Sequence, residues 1–231
     1  QMLCQIAKTK TDESKNELNN YLVGYFALFL NTEKSWSADY DSVKYLSSLD
    51  SDDGKLRVFT WNLNFRDGSF KYFGFLQYKT KDGIRVHFLD DKKADNVEGI
   101  QRSFSTSSEW YGALYYELIT KKWNSRTYYT LIGWDGADFL INRKVVEVLT
   151  FDRKGMPLFG QKCFKLERTV TGRLIFEYAD RATMLLRYND KNDILVLDHL
   201  SPPETKYKGL YQYYGPDYSY DAFIFRAGRW H

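Results

Sequence analysis

The sequence predicts a mainly β protein: an antiparallel meander of about a dozen strands, closed as a sandwich or a barrel, with one or two N-terminal helices packed on it. Three observations support this fold class. Aromatic residues make up 18% of the chain, and aromatic side chains favour pleated, half-buried surfaces. Apolar and polar residues alternate with a period of two through most of the chain after residue 53. Asp-Gly pairs, which suit tight hairpin turns, recur between the alternating segments.

The N-terminal fifth is expected to be helical. Asp12 can cap a helix of about residues 13–30, in which apolar side chains recur at helical spacing. The members of this stripe are Leu18, Tyr21, Leu22, Tyr25, Phe26 and Phe29. A weaker apolar pattern predicts a short second helix near 38–48, built on Tyr40, Val43 and Leu46. We therefore expect one structural domain overall, with residues 1–50 as a helical segment packed on an antiparallel β domain of residues 51–231.

The β segments follow in order. A three-stranded meander is predicted up to residue 90, because Asp53-Gly54, Asp67-Gly68 and Asp82-Gly83 separate β-rich segments. The polar stretch 90–108 has no sustained period and is expected to be a long, mobile loop. Further strands are predicted at "WYGALYYELIT", "RTYYTLIGW", "RKVVEVLTFD", "QKCFKLERT", "RLIFEYA", "TMLLRYND" and "DILVLDHL". A closing pair, "GLYQYY" and "YSYDAFIFRAGRW", should reverse at "YGPDY", where Pro216 fits the second position of a turn.

The charge pattern argues against nucleic acid as a partner. The chain carries 33 Lys and Arg against 30 Asp and Glu, a formal net charge of +3. The basic residues are scattered among acidic ones, whereas nucleic-acid binding needs a concentrated basic face. No transmembrane segment is predicted either, because the most apolar run, residues 21–30, is about half the ~20 residues that a spanning helix needs.

Export to the periplasm or the extracellular space is the expected localisation. The chain begins with Gln1 rather than Met, which a removed signal peptide explains; trimming for expression is the alternative. The two cysteines, Cys4 and Cys163, match no metal-ligand spacing. In an exported protein they could form a disulfide that ties down the N-terminal arm, and two free thiols are the alternative.

Two stretches that combine aromatic and acidic residues are the candidate ligand-binding sites. The first is "GWDGAD", with Trp134 and Asp135. The second is "YQYYGPDYSYD", whose candidate residues are Tyr214, Asp217, Tyr218 and Asp221. Aromatic rings can stack on the apolar side of a sugar while a carboxylate orients its hydroxyl groups. The structural alternative is that Trp134 folds into the core, Asp135 serves a turn and the remaining carboxylates accept local hydrogen bonds.

No catalytic residue, metal ligand or cofactor is predicted. Asp198 and His199 are adjacent in a strand, so they point to opposite faces and cannot form a triad. The three histidines are dispersed, without a local zinc spacing, and the sequence has no Gly-rich phosphate loop. Two carboxylates could still meet in space for glycan hydrolysis. The acids considered for that role are Glu109, Glu177, Asp217 and Asp221.

The succession "SDDGKLRVFTWN", "WYGALYYEL", "YYTLIGWDG" and "YYGPDYSYDAF" resembles a set of uncharacterised secreted β-rich proteins of Gram-negative, gut-type bacteria. The resemblance covers most of residues 50–230 and implies export, but it implies no activity and no catalytic residue. The sequence therefore predicts an exported, non-catalytic binding module for a saccharide, a peptide or an envelope protein. A carboxylate-dependent glycan hydrolase and a structural subunit of a cell-envelope assembly are the alternatives.

Overall fold

The structure, a computed structural model, describes residues 1–92 and 97–231. Its helices are α1 (Met2–Lys8), α2 (Asp12–Leu30), α3 (Glu33–Trp36) and α4 (Val97–Arg102). Its strands are β1 (Ser47–Asp50), β2 (Leu56–Asn64), β3 (Phe70–Thr80), β4 (Gly83–Asp90), β5 (Leu114–Trp123), β6 (Arg126–Asp135), β7 (Ile141–Phe151), β8 (Pro157–Phe159), β9 (Phe164–Lys165), β10 (Val170–Thr171), β11 (Arg173–Ala179), β12 (Leu186–Asn189), β13 (Ile194–Ser201), β14 (Gly215–Arg226) and β15 (Arg229–Trp230). Short 3-10 helices occupy Ser107–Glu109, Thr205–Tyr207 and Tyr211–Tyr213.

The predicted fold class is confirmed at the level of a mainly antiparallel β protein with helices at its N-terminus. The strands form three sheets, whose orders are β1-β2-β3-β4, β11-β7-β6-β5 and β10-β9-β15-β14-β13-β12. Strand β8 adds to the second sheet beside β7. A sandwich or barrel of a dozen strands is not confirmed, because the strands are divided among three sheets.

The helices and the three sheets stack as layers with a hydrophobic core at each boundary. Strand β6 shows how the period of two builds this arrangement. Its residues Tyr129 and Leu131 enter the core shared with the first sheet, whereas Tyr128 and Ile132 enter the core shared with the third. The second sheet is therefore apolar on both faces and lies in the middle. The outer face of the first sheet packs on the helices through residues such as Trp61.

Helix α2 begins one residue earlier than the sequence predicts. The side chain of Thr11 accepts a hydrogen bond from the Ser14 amide at 3.3 Å, so Thr11 and not Asp12 is the N-cap. The predicted apolar stripe is buried on one side only. Its inner members Leu18, Leu22 and Phe26 pack on the first sheet, whereas its outer members Tyr21, Tyr25 and Phe29 are exposed. A helix lying on a sheet buries a limited arc of its surface, which explains the division.

The predicted helix near 38–48 is wrong. The short helix α3 lies earlier in the chain, and Ser47–Asp50 instead forms β1, paired antiparallel with β2. The Tyr40 ring is buried with its centroid 4.7 Å from that of Phe59. The weak helical pattern is overridden here because pairing with β2 gives β1 backbone hydrogen bonds along one edge.

The predicted three-stranded meander is confirmed as β2–β4, with β1 as an additional edge strand. Its turns contain Gly54, Gly68 and Gly83, which adopt the positive φ that favours glycine. The stretch 90–108 contains α4 and a 3-10 helix, so it is not a structureless loop. Residues 93–96, where mobility was also expected, lie outside the described residues.

Of the two alternatives for the cysteines, a disulfide or two free thiols, the structure has the second: Cys4 and Cys163 are both free. Cys4 lies on α1 in the helical layer, whereas Cys163 is buried in the core between the second and third sheets. The first and second sheets therefore lie between the two sulfur atoms. Burial raises the pKa of the Cys163 thiol to about 12, so this thiol stays protonated at neutral pH.

Candidate functional site

The first predicted cluster lies at the end of β6, where Asp135 is fully buried with 0% exposure. Its carboxylate accepts hydrogen bonds from the Tyr111 hydroxyl at 2.8 Å, the Ala137 amide at 3.0 Å and the Tyr72 hydroxyl at 3.3 Å. The Arg143 guanidinium lies 3.5 Å from the same carboxylate. The hydrogen-bonding capacity of this buried carboxylate is therefore satisfied within the protein.

Sheet register brings these partners together. Asp135 on β6 lies opposite Arg143 on β7, which lies opposite Glu177 on β11. The Arg143 Nε donates to Glu177 at 2.9 Å, and Tyr72 reaches Asp135 from the first sheet. We call these five residues, Tyr72, Tyr111, Asp135, Arg143 and Glu177, the Asp135 cluster. The cluster joins the first two sheets and leaves Asp135 without contact to solvent. Asp135, a predicted ligand-binding residue, is therefore bonded only to other parts of the protein.

Burial, followed by the charge of Asp135, raises the pKa of the Tyr72 hydroxyl. The hydroxyl is therefore protonated and can donate to Asp135 while it accepts the Gly136 amide at 2.8 Å. The position also requires a glycine, because a side chain there would meet the Phe70 ring. A Cβ atom there would lie 2.5 Å from the Phe70 ring.

Trp134, the neighbour of Asp135, is half-buried and accessible from one side. Its ring lies edge-on to Phe70 with the centroids 5.3 Å apart. Together with Leu3, Ile6 and Tyr45 these rings line an apolar groove of about 530 Å³. The structure thus separates the two predicted residues of "GWDGAD": Trp134 faces the groove, and Asp135 faces the core.

The second predicted cluster is part of a surface of exposed and half-buried side chains that follows the Pro-Pro step at 202–203. We call this set the tyrosine surface; it consists of Tyr207, Leu210, Tyr211, Tyr213, Tyr214, Tyr218 and Tyr220. The predicted strand "GLYQYY" is wrong, because Tyr211–Tyr213 forms a 3-10 helix. Rings stack within the surface instead: the Tyr207 and Tyr213 centroids are 4.3 Å apart, and those of Tyr211 and Tyr214 are 5.0 Å apart.

The predicted reversal at "YGPDY" is also wrong, since Gly215 and Pro216 begin β14 and pair with the end of β13. Between this pairing and the next matched pair, Asp198 with Tyr220, one residue of β13 faces three residues of β14. The extra residues form a β-bulge. The Asp217 carboxylate stabilises it by accepting the Ser219 amide at 3.0 Å and the Ser219 hydroxyl at 2.6 Å.

Tyr218 lies at the apex of the bulge in the left-handed region, with a φ of 71°. This conformation costs a non-glycine residue about 1–2 kcal/mol. Its side chain is 96% exposed, so no packing of the ring offsets that cost. Backbone strain of this kind is concentrated at functional sites, where it fixes the position of a side chain.

The remaining predicted residues surround the bulge. The Asp221 carboxylate lies 2.9 Å from Nδ1 of His199, and both side chains are exposed. This hydrogen bond raises the pKa of His199, and the bonds from Ser219 lower the pKa of Asp217. Tyr214 is half-buried, and its hydroxyl accepts the Gly209 amide at 3.0 Å.

The two predicted clusters lie at the same end of the molecule, connected through β11. Glu177 of the Asp135 cluster precedes Ala179 by two residues, and the Ala179 amide donates to the carbonyl of Tyr214 at 2.9 Å. Sequence reasoning missed Tyr72, Tyr111 and Arg143 because they are far from Asp135 in the chain and no local spacing marks them. It also missed Tyr220, although this residue is in the quoted stretch.

Two of the acids considered for glycan hydrolysis have basic partners. Glu177 is ion-paired with Arg143, and Asp221 is bonded to His199. A general acid in such enzymes needs a raised pKa. Burial does raise the pKa of another carboxyl, that of Glu117, but its oxygen accepts the Tyr188 amide at 3.0 Å.

Within residues 1–92 and 97–231, no group of three or more His, Cys, Asp or Glu side chains is placed to hold a metal ion. The same residues contain no helix with the length and apolar character needed to cross a membrane.

Fold and site together define the class of the chain: a mainly antiparallel β protein of three stacked sheets, with N-terminal helices and a tyrosine surface at one end. Comparison with protein-family models, with curated proteins and with solved structures gives no match.

Proposed function

We propose that the chain is a non-catalytic binding module that holds a saccharide, a peptide or a partner protein on the tyrosine surface. The observation that carries this proposal is Tyr218, which is held in a strained backbone conformation with its ring 96% exposed. A ring that only served the fold would be expected to pack. Here the bulge directs it into solvent, where a ligand can reach it.

Tyrosine suits this role on physical grounds. Its ring supplies a large contact area with few rotatable bonds, and its hydroxyl forms hydrogen bonds at the rim. Two further members of the tyrosine surface are exposed, Tyr220 at 65% and Leu210 at 48%. Exposed apolar side chains that form a patch are typical of interaction sites.

Polar groups at the edge of the tyrosine surface can orient a ligand. Asp217 and the His199–Asp221 pair present carboxylate oxygens and an imidazole beside the exposed rings. Rings flanked by such groups match the two aspects of a sugar, whose ring carbons are apolar and whose hydroxyl groups donate and accept hydrogen bonds. This arrangement supports a saccharide as the first ligand class to test.

Export remains part of the proposal, supported by the resemblance to secreted β-rich proteins described above. The glycan hydrolase and the envelope subunit remain alternatives. The pairing of Glu177 with Arg143 and of Asp221 with His199 offers the hydrolase no support.

The test is binding to glycan and peptide arrays by the full chain and by two double variants. Tyr218→Ala/Tyr220→Ala removes exposed rings from the tyrosine surface. Tyr21→Ala/Tyr25→Ala, the matched control, removes two other exposed rings, at 56% and 64%, from α2. We expect the first variant to weaken binding about tenfold or more, because truncation of a central tyrosine is typical of binding hot spots.

Two outcomes would count against the proposal. One is that the wild-type chain binds nothing on either array. The other is that both double variants weaken binding equally, which would place the ligand elsewhere. Trp134→Ala and Asp221→Ala, measured in parallel, show whether the apolar groove and the rim of the tyrosine surface contribute.

A further inference from the structure

A basic groove lies at the opposite end of the second sheet from the tyrosine surface. Strand β7 runs from Arg143 in the Asp135 cluster to Phe151, and the groove begins at the turn that follows. Its other walls are the β3–β4 turn and the residue that precedes β2. The groove encloses about 510 Å³. Its cationic side chains are Lys55, Lys79, Lys81, Arg85, Arg153 and Lys154.

The charge of the basic groove differs from that of the rest of the chain. Six cationic side chains face two acidic ones, Asp82 and Asp152, which gives a local net charge of +4. The whole chain carries +3, so the remainder of the molecule is close to neutral. Acidic and basic residues alternate along the sequence but are not evenly mixed on the surface, because turns from two sheets place their lysines side by side.

These cations have few internal partners. Within the described parts of the chain none of the six forms an ion pair. Arg85 donates to the Lys154 carbonyl, and the Lys79 ammonium lies 5.7 Å from the centre of the Trp36 ring. Asp152 is occupied with the turn itself, where it accepts the Lys154 and Met156 amides at 2.8 Å each. Most of the positive charge is thus available to a ligand.

We propose that the basic groove binds an acidic glycan, a saccharide chain that carries carboxylate or sulfate groups. Lysine ammonium groups would pair with the anionic groups of such a chain. The Thr80 hydroxyl and the Asp82 carboxylate, which also line the groove, can accept hydrogen bonds from sugar hydroxyls. Cations with a few acceptors among them fit a ligand that has both anionic and hydroxyl groups.

Two other polyanions fit less well. Single-stranded nucleic acid is held by aromatic rings that stack on its bases. The one ring that lines the groove, Tyr78, already stacks on Phe151, with centroids 3.7 Å apart and planes 7° apart. An acidic peptide needs an apolar pocket for an anchoring side chain. Eight of the eleven lining residues are charged, so the groove has no such pocket.

The inference does not depend on the tyrosine surface, because the two sites share no residue. The experiment titrates the full chain with polygalacturonate, heparin, neutral dextran and duplex and single-stranded DNA at low salt and at about 0.15 M salt, where the Debye length is about 8 Å. The test variant is Lys81→Glu/Lys154→Glu. The control is Lys10→Glu/Lys191→Glu, which changes the net charge equally at exposed positions outside the groove.

We expect polygalacturonate or heparin to bind the wild-type chain and the control, with weaker binding at higher salt and none to dextran. The test variant should bind at least about tenfold more weakly, since two attractive charges become repulsive. Three results would overturn the proposal: absence of binding to both acidic glycans at low salt, equal losses in the two variants, or binding of either DNA as tight as that of the glycans. Tyr218→Ala/Tyr220→Ala should leave this binding unchanged, which separates the groove from the tyrosine surface.

Discussion

The Asp135 cluster and the tyrosine surface are built from similar sequence and have opposite environments. The segments "GWDGAD" and "YQYYGPDYSYD", which contribute to them, both combine aromatic residues, aspartates and glycine, yet Asp135 is 0% exposed and Tyr218 is 96% exposed. The difference follows from the layer in which each strand lies. Strand β6 is in the middle sheet, where Tyr72 of the first sheet covers its end. Strand β14 is in an outer sheet, so its bulge projects into solvent.

The comparison teaches that an aspartate beside an aromatic residue has no fixed role. Where a second sheet covers the aspartate, its carboxylate must find hydrogen-bond partners inside the protein, and these bonds connect neighbouring strands. Where nothing covers it, the same residue types stabilise a bulge and leave a ring accessible. The predictions below test this contrast, from the largest expected effect to the smallest.

Replacing Asp135 by alanine should destabilise the fold by about 3 kcal/mol or more, because Arg143 and the Tyr111 hydroxyl lose a buried charged partner. Urea unfolding followed by tryptophan fluorescence measures the change. Asp217→Ala is the matched control in the other region, and its unfolding midpoint should stay close to that of the wild type. Equal effects of the two substitutions would refute the contrast.

A smaller loss is expected when one hydroxyl is removed from the Asp135 cluster. Tyr72→Phe deletes the group that accepts the Gly136 amide and donates to Asp135, at a cost of about 1–3 kcal/mol. Tyr220→Phe deletes an exposed hydroxyl and should change the unfolding free energy by less than about 0.5 kcal/mol. A Tyr72→Phe variant as stable as Tyr220→Phe would show that the cluster does not support the junction of the sheets.

The strained backbone at Tyr218 predicts that glycine is more stable than alanine at this position, the reverse of their usual order in a strand. Tyr218→Gly should be about 1 kcal/mol more stable than Tyr218→Ala, because glycine adopts a φ of 71° without the steric cost that alanine meets there. In an ordinary strand position alanine would be the more stable of the two. Chemical denaturation of the two variants decides the matter, and a more stable alanine variant would mean that the bulge is absent in solution.

The smallest effects concern two histidines in contrasting environments. The Asp221 hydrogen bond raises the pKa of His199 above 6.5, whereas burial, with a smaller contribution from Arg85, lowers the pKa of His87 below 6.5. NMR titration of the imidazole protons should show this order, and Asp221→Asn should return His199 toward 6.5. The reverse order would contradict the described contacts.

The two shifts have opposite consequences for stability. A raised pKa means that His199 contributes stability below about pH 6.5 and loses it as the pH rises through the raised value. A lowered pKa means that His87 costs stability as the pH falls below about 6.5, because the unfolded state then binds the proton more readily. The wild type should therefore be more stable than Asp221→Asn below about pH 6.5, and the difference should disappear as the pH rises through the raised pKa of His199.

Local patterns predicted the β segments well where strands are long. The alternation in β2–β4 and in β5–β7, and the glycines of the first three turns, are visible in the sequence and present in the structure. Prediction was poorer for short elements. Tyr211–Tyr213 alternates like a strand yet forms a 3-10 helix. The helix predicted near 38–48 is absent, and its last residues, Ser47 and Ser48, pair with β2 instead. Short segments take the conformation that their neighbours stabilise.

The sequence identified which residue types form the candidate sites, but it did not show which of them are buried and which are exposed. Of the residues predicted to bind a ligand, Tyr218 is exposed, Trp134 is half-buried and Asp135 is fully buried. The basic groove was not predicted, because its lysines come from turns that are distant in the chain and near in space. Charge interleaved along a sequence can still separate on a surface.

The sequence by itself determined the class of the protein, since alternation, aromatic content and turn glycines act through neighbouring residues and need no tertiary contact. Only the tertiary structure decided how the strands divide into three sheets, which faces are covered, and which aspartates and cations lie together. The physical reason is that burial and electrostatic partners depend on which layer covers a strand, and that is settled by packing between segments far apart in the chain.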